Sequence, residues 1–139
     1  MEQSIQLQSN LKRRFLAGLI DYGIMFGFFY AYLFTYGTPN DEGGYSVSGL
    51  AAFPIPIMWF LLMIVTEQTL GATIGNGIAG LKPLTLSGNK PGMMQSFKRH
   101  LLDMVDMFLF GLVGIIAITS TEKKQRLGDL WAKTIVVRT

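Results

Sequence analysis

Residues 15–36 read FLAGLIDYGIMFGFFYAYLFTY, a stretch of 22 residues in which Asp21 is the only charged side chain. A helix that crosses a bilayer needs about 20 predominantly apolar residues. A cleavable signal peptide would have a shorter apolar core, of about 7–15 residues, followed by a small-residue cleavage site. The stretch therefore predicts a retained transmembrane helix.

The composition of the whole chain agrees with a small membrane protein of one domain, residues 1–139. Half of the residues are hydrophobic and 15% are charged, whereas soluble domains are about 25% charged. There is no cysteine and one histidine, which excludes disulfides and thiolate metal sites and argues against a multi-histidine site. The net charge of +3 is expected to face anionic lipid rather than nucleic acid.

Two further apolar segments follow the first. Residues 48–66 carry no charge and are closed by Glu67, and Pro54 and Pro56 near the start predict an irregular first turn. The third segment, residues 101–120, is either a third full span or a re-entrant hairpin, for which Gly111 and Gly114 would permit a bend. The predicted fold is therefore an all-α membrane protein with two full transmembrane helices and a third membrane segment.

The basic residues predict the orientation. The loop 37–47 carries no Lys or Arg but contains two acids. The positive-inside rule places this loop outside and the N-terminus in the cytoplasm. A third segment that turns back would keep the C-terminus cytoplasmic as well, in a multi-pass protein of the cell (inner) membrane. All twelve Lys and Arg fall within residues 12–14, 82–99 and 123–138.

A glycine-rich string at residues 75–80 matches G-x-G-x-x-G, the dinucleotide-binding fingerprint. That fingerprint requires a preceding strand, a following helix and an acid about 20 residues further on. Here a membrane span precedes the string, and Lys98 and Arg99 stand at the distance of the acid. We predict no bound nucleotide or other cofactor, and a glycine-rich turn that leaves the membrane.

Four ordered motifs together resemble the RDD family of small bacterial integral membrane proteins, over about residues 12–138. The resemblance implies a membrane architecture more than an activity. The motifs are RFLAGLID at 14–21, GATIG at 71–75 with GLK at 80–82, RHLLDMVD at 99–106, and QRLGDL at 125–130 before TIVV at 134–137.

The resemblance also implies roles for single residues. Arg14 and Asp21 correspond to the arginine and the first aspartate of the family name, and Asp106 corresponds to the second aspartate, with Asp129 as its rival. The glycine loop departs from the usual G-x-T-P-G-K, because Ile74 and Asn76 stand in place of the proline and the lysine.

An intramembrane polar cluster is the candidate site. Arg14 and Asp21 lie two helical turns apart, and the same spacing recurs at Arg99 and Asp106, with Asp103 between them. A carboxylate at the bilayer centre costs about 2.5–3.5 kcal/mol and needs a partner. We expect the two arginines to face the three aspartates, with Arg126 and Asp129 in a secondary role and His100 solvated at the interface.

Two interpretations of this cluster stay open. It is either a cation or proton site, in a protein that acts as a homo-oligomer and transports a proton or another monovalent cation, or a structural ion-pair network. In the second case the protein is a non-transporting accessory or assembly subunit of another membrane protein. No catalytic constellation is recognisable, so we expect no enzymatic activity.

The tail predicts a small sheet. Residues 81–86 are short and are followed by a turn signal, and Thr134–Arg138 is rich in β-branched residues. We expect the two segments to form a two-stranded cytoplasmic element in which the amide position of Pro83 faces outward.

Overall fold

The computed structural model describes residues 9–106 and 108–139, and two of its helical stretches are long and apolar enough to cross a membrane. The first is α1, Leu11–Tyr36, and the second is the continuous helical stretch Gly49–Leu70. Only 11% of each apolar window is buried within the protein, whereas the core helix of a soluble protein would be mostly buried. Their length and this exposure are those expected of membrane spans.

The second span is irregular at its start, as the prolines predict. A 3-10 turn at Gly49–Ala52 leads into α2, Pro54–Trp59, whose first residue is the proline. A proline fits there because the first helical N–H has no partner within the helix. A π-helical stretch, Phe60–Val65, then leads into α3, Thr66–Leu70. The span therefore extends past the predicted end at residue 66 and includes Glu67.

A small hairpin connects the two spans. Its strands are β1, Thr38–Pro39, and β2, Tyr45–Ser46, which pair antiparallel. The hydroxyl of Tyr32 donates a hydrogen bond to the carbonyl of Ala51 at 2.6 Å and so ties the first span to the start of the second.

The third apolar segment is a broken element. Helix α5, Met93–Leu101, ends inside the predicted segment, α6 covers Asp103–Asp106, and α7 covers Phe108–Ser120. Within α7, Gly111 has a positive φ of 86°, a conformation that glycine adopts without strain and that interrupts a straight helix. A Cβ added to Gly114 would lie 3.0 Å from the carbonyl oxygen of Asp106, so α7 folds back against α6 as a hairpin.

The predicted glycine-rich turn contains a short helix. Helix α4 covers Ile74–Ile78, and the side chain of Thr73 accepts the N–H of Asn76 at 3.2 Å. Such capping offsets part of the cost of glycine in a helix. A second short helix, α8, covers Leu127–Ala132.

The two-stranded sheet of the tail is confirmed. Strands β3, Leu81–Thr85, and β4, Thr134–Arg138, pair antiparallel, with Pro83 opposite Val136. Because Pro83 has no N–H, this must be a non-hydrogen-bonded pair, in which the amide position faces away from the partner strand. Leu81 and Val136 form a small core with two alanines, Ala17 and Ala79.

Candidate functional site

One network of ion pairs, which we call the ion-pair cluster, joins seven charged or titratable side chains. Six of them lie in α1, α3, α5, α6 and α8, and the seventh belongs to the residue before α8. Its arginines are tied by more than one contact each, so the cluster connects both spans to the C-terminal part of the chain. The members are Arg14, Glu67, Arg99, His100, Asp103, Arg126 and Asp129.

Arg99 lies at the centre and is fully buried. Its Nη1 binds Oε1 of Glu67 at 2.7 Å, and its Nε binds Oδ1 of Asp129 at 2.9 Å. Burial alone would lower the pKa of Arg99, but the two carboxylates outweigh it and raise the pKa. The guanidinium is therefore charged at every physiological pH and connects α3, α5 and α8.

Asp129 is a meeting point of three arginines. It lies 2.9 Å from Arg99, 3.3 Å from Arg14 and 3.7 Å from Arg126. Burial acts to raise the pKa of Asp129, yet the three guanidinium groups together hold it well below its usual range. The sequence analysis assigned Arg126 and Asp129 a secondary role, whereas both are central in the structure.

Asp103 joins the cluster to the first span. Its Oδ1 binds Nη1 of Arg126 at 3.0 Å, and its Oδ2 accepts the hydroxyl of Tyr22 at 2.9 Å and faces Nδ1 of His100 at 2.9 Å. One carboxylate thus contacts a guanidinium, a phenol and an imidazole.

His100 is 5% exposed, so the prediction that it is solvated was wrong. Its Nε2 lies 3.0 Å from Oε2 of Glu67, opposite the contact of Nδ1 with Asp103. Burial alone would lower the pKa of His100, but the contacts with Asp103 and Glu67 outweigh it and raise the pKa to about 9. The reason lies in the tertiary structure, because the end of α3 covers the side of α5 that carries the imidazole.

Asp21 and Asp106 have different partners from those expected. Asp21 accepts the hydroxyl of Thr73 at 2.6 Å and the N–H of Gly75 at 2.7 Å. Asp106 accepts the N–H groups of Leu127 at 3.0 Å and Gly128 at 3.2 Å. The first N–H groups of a helix have no intrahelical partner and carry positive charge, and they bind these two carboxylates in place of Arg14 and Arg99.

The cluster contains two residues that the sequence did not assign to it, Glu67 and His100, and Tyr22 binds it through Asp103. Glu67 was placed at the end of the second span, and a carboxylate next to an apolar segment is a signal for a buried ion pair. The side of the helix on which Tyr22 and His100 lie depends on packing, which no local pattern reveals.

A cleft of about 620 Å³ opens beside the cluster, between α1 and α7. Phe15, Phe26 and Ile115 are among its apolar lining residues, and Asp21 and Asp103 are among its polar ones. Within residues 9–106 and 108–139, no group of three or more histidine or carboxylate side chains is placed to hold a metal ion. The cleft is therefore lined by both apolar side chains and separate carboxylates.

Comparison with known proteins gives one finding on the family. A sequence model of the RDD family matches residues 9–133, a range that includes both spans, the ion-pair cluster and the glycine loop. No curated protein and no solved structure matches the chain.

Proposed function

The chain belongs to the RDD family, and we propose that it is a transporter that exchanges a monovalent cation for protons. One observation carries this proposal: a hydrogen-bonded chain of exchangeable groups leads from the cleft into the protein. The chain runs from Tyr22 through Asp103, His100 and Glu67 to Ser96, with distances of 2.9, 2.9, 3.0 and 2.6 Å.

In this hydrogen-bonded chain, the imidazole of His100 is the group that holds the exchangeable proton. A hydrogen bond between a ring nitrogen and a carboxylate oxygen requires a proton, and His100 makes such a contact at both nitrogens. With both protons the ring is cationic and balances Asp103 and Glu67. Loss of one proton leaves a neutral ring, which a proton entering from Tyr22 or Glu67 would restore.

A cation would replace the lost charge. Asp21, Asp103 and Asp106 line the cleft, and carboxylate oxygens are ligands for hard cations. A monovalent cation beside Asp103 would compensate this carboxylate when His100 is neutral, and a proton on His100 would displace that cation. This competition couples the two ions.

The assembly follows from the small size of the chain. Two spans and a short hairpin enclose little pathway, so the transporter acts as a homo-oligomer in the cell (inner) membrane. Both termini lie in the cytoplasm, and the α6–α7 hairpin enters the membrane from that side. Basic residues near the spans contact anionic lipid.

Reconstitution into liposomes with an internal pH dye tests the proposal. We expect cation-dependent proton flux from the wild type and a loss of about tenfold or more, the scale of removing a proton-transfer group, in His100→Gln and Tyr22→Phe. Tyr30→Phe is the matched control, since Tyr30 is exposed on the same helix. Equal flux in the two tyrosine variants, or no flux from folded wild type, would contradict the proposal.

The alternative is a non-transporting accessory subunit, and one observation favours it. Glu67, Asp103 and Asp129 each already pair with an arginine, so the cluster can also serve as a rigid support. In that case the liposomes would show no flux with any monovalent cation, and the protein would copurify from native membranes with another membrane protein.

A further inference from the structure

We propose that the chain is built from two structurally equivalent halves, in which Asp21 and Asp106 are equivalent positioning residues that each hold a short helix. This inference concerns architecture and does not rest on the proposed transport. The first half extends from α1 to β3, and the second extends from α5 to β4.

The order of elements is the same in both halves. Each begins with an arginine that is followed seven residues later by an aspartate, Arg14 with Asp21 and Arg99 with Asp106. Apolar helical segments come next, then a short helix and then a strand. The halves differ in the middle, because 52 residues separate Asp21 from Thr73 and 20 separate Asp106 from Arg126.

The backbone repeats with a constant spacing of 53 residues around the short helices. Gly71 and Lys124 both have positive φ, 82° and 52°, and so do Gly80 and Lys133, 68° and 56°. A lysine rarely adopts this conformation. Two of the three non-glycine residues with positive φ in the described ranges are these lysines, and each stands at the position of a glycine in the other half.

The glycines through which the short helices contact a longer helix repeat with the same spacing, whereas the carbonyls that they meet, of Ala17 and Arg99, are 82 residues apart. A Cβ added to Gly75 would collide with the carbonyl of Ala17, and one added to Gly128 would collide with the carbonyl of Arg99. In each half, therefore, the second residue of the short helix presses on the helix that carries the arginine. Ala79 and Ala132, also 53 residues apart, are both buried, at 4% and 3% exposure.

The sheet places a two-fold axis between the halves. Pro83 pairs with Val136, its own counterpart at the 53-residue spacing. The pair Leu81–Arg138 maps onto the pair of Thr134 with Thr85, which is also present in the register. Under a two-fold axis, a pair of residues i and j implies a second pair between their counterparts. Pro83 and Val136 are each other's counterparts, so the axis passes through this pair.

Asp21 and Asp106 have equivalent contacts under this axis. Each carboxylate accepts an N–H from the glycine at the second position of its own short helix, Gly75 or Gly128. The ion-pair cluster has no such symmetry, because Arg126 and Asp129 stand where the first half has Thr73 and Asn76. The two aspartates thus position α4 and α8, whereas the ion-pair cluster draws Arg14 and Glu67 from the first half and its other members from the second.

The rate at which introduced thiols are labelled tests whether Asp21 and Asp106 are equivalent. The chain has no cysteine, so Ala79→Cys and Ala132→Cys each introduce one buried thiol, in α4's C-cap and in α8. In the purified full-length protein we expect Asp21→Ala to accelerate labelling at position 79 by about fivefold or more and to leave position 132 protected. Asp106→Ala should do the reverse, since loss of a helix N-cap acceptor changes local opening by about this factor.

The asparagine variants provide the control for folding. Asp21→Asn and Asp106→Asn keep one acceptor oxygen, so they should restore most of the protection in their own half. If the alanine variants unfold and expose both thiols, the asparagine variants must still show the reciprocal pattern on a smaller scale. Exposure of both thiols in all four variants, or an effect of only one aspartate on its own half, would overturn the equivalence whether or not the protein transports ions.

Discussion

A buried arginine such as Arg99 is stable only if its charge is balanced where it lies. Moving an ion out of water costs several kcal/mol in proteins, and removing one partner of a buried pair costs about 3–5 kcal/mol. Arg99 meets this requirement through Glu67 and Asp129, at 2.7 and 2.9 Å. The same logic applies to His100, whose two carboxylate neighbours favour the imidazolium form.

The stability of the protein should fall with rising pH because of His100. Its pKa is raised from 6.5 in the unfolded chain to about 9 in the folded protein, so its contribution to the free energy of unfolding is fully present below pH 6.5 and is lost as the pH rises through 9. Thermal unfolding of the detergent-solubilised protein across this range should show a falling melting temperature.

The variant His100→Gln is the control for that series. Glutamine does not titrate, so the melting temperature of this variant should depend less on pH between 6.5 and 9. Parallel curves for the variant and the wild type would show that the imidazole does not carry the pH dependence.

At the scale of elements, the short helices α4 and α8 depend on tertiary contacts. Helices of five or six residues are not stable alone in water, because nucleation costs more than so few hydrogen bonds return. Each is held by an aspartate at its N-terminus and by close contact of a glycine with a longer helix. Gly75 and Gly128 are therefore packing positions.

Alanine substitutions at two glycines of α4 distinguish the effect of packing on stability from the effect of helix propensity. Gly75→Ala would drive a methyl group into the carbonyl of Ala17 and should lower the free energy of unfolding by about 1–3 kcal/mol, as overpacking does. Gly77→Ala meets nothing within 4 Å and should raise stability by up to about 1 kcal/mol, because alanine is the better helix former. Chemical unfolding in detergent measures both, and a similar loss in both variants would contradict the packing role.

At the scale of the whole molecule, the sheet of β3 and β4 determines which parts of the chain lie on the same side of the membrane. The strands pair over five residues, so the segment after the second span and the C-terminal tail must share a side. The α6–α7 hairpin is compatible with this arrangement, and we propose that it returns the chain to the side from which it came. On this proposal both halves enter the membrane in the same direction, like parallel repeats about an axis along the membrane normal.

Single thiols in intact cells test this topology. Glu42→Cys in the loop between the spans should react with a membrane-impermeant reagent, and Thr139→Cys should react only after the membrane is permeabilised. Both positions are exposed, so burial does not explain a difference between them. Labelling at position 139 in intact cells would place the tail outside and refute the shared side.

Several features of the fold could be predicted from the sequence, because they depend on the length and composition of single segments. Apolar length predicted the spans at 15–36 and 48–66, the two prolines predicted the irregular start of the second span, and β-branched composition predicted the strand Thr134–Arg138. The four ordered motifs indicated the family to which the chain belongs. These predictions hold because length, periodicity and turn chemistry act within one element.

The pairing of the charged groups, in contrast, is apparent only from the tertiary structure. The spacing of Arg14 and Asp21 indicated a shared helix face, yet Arg14 pairs with Asp129, 115 residues further on. Asp21 binds the free N–H of Gly75 instead, and His100 is enclosed between two carboxylates rather than solvated. The physical reason is that a buried charge takes its partner from whatever donors or acceptors packing brings within about 3 Å, and that distance is not written in any local stretch of the chain.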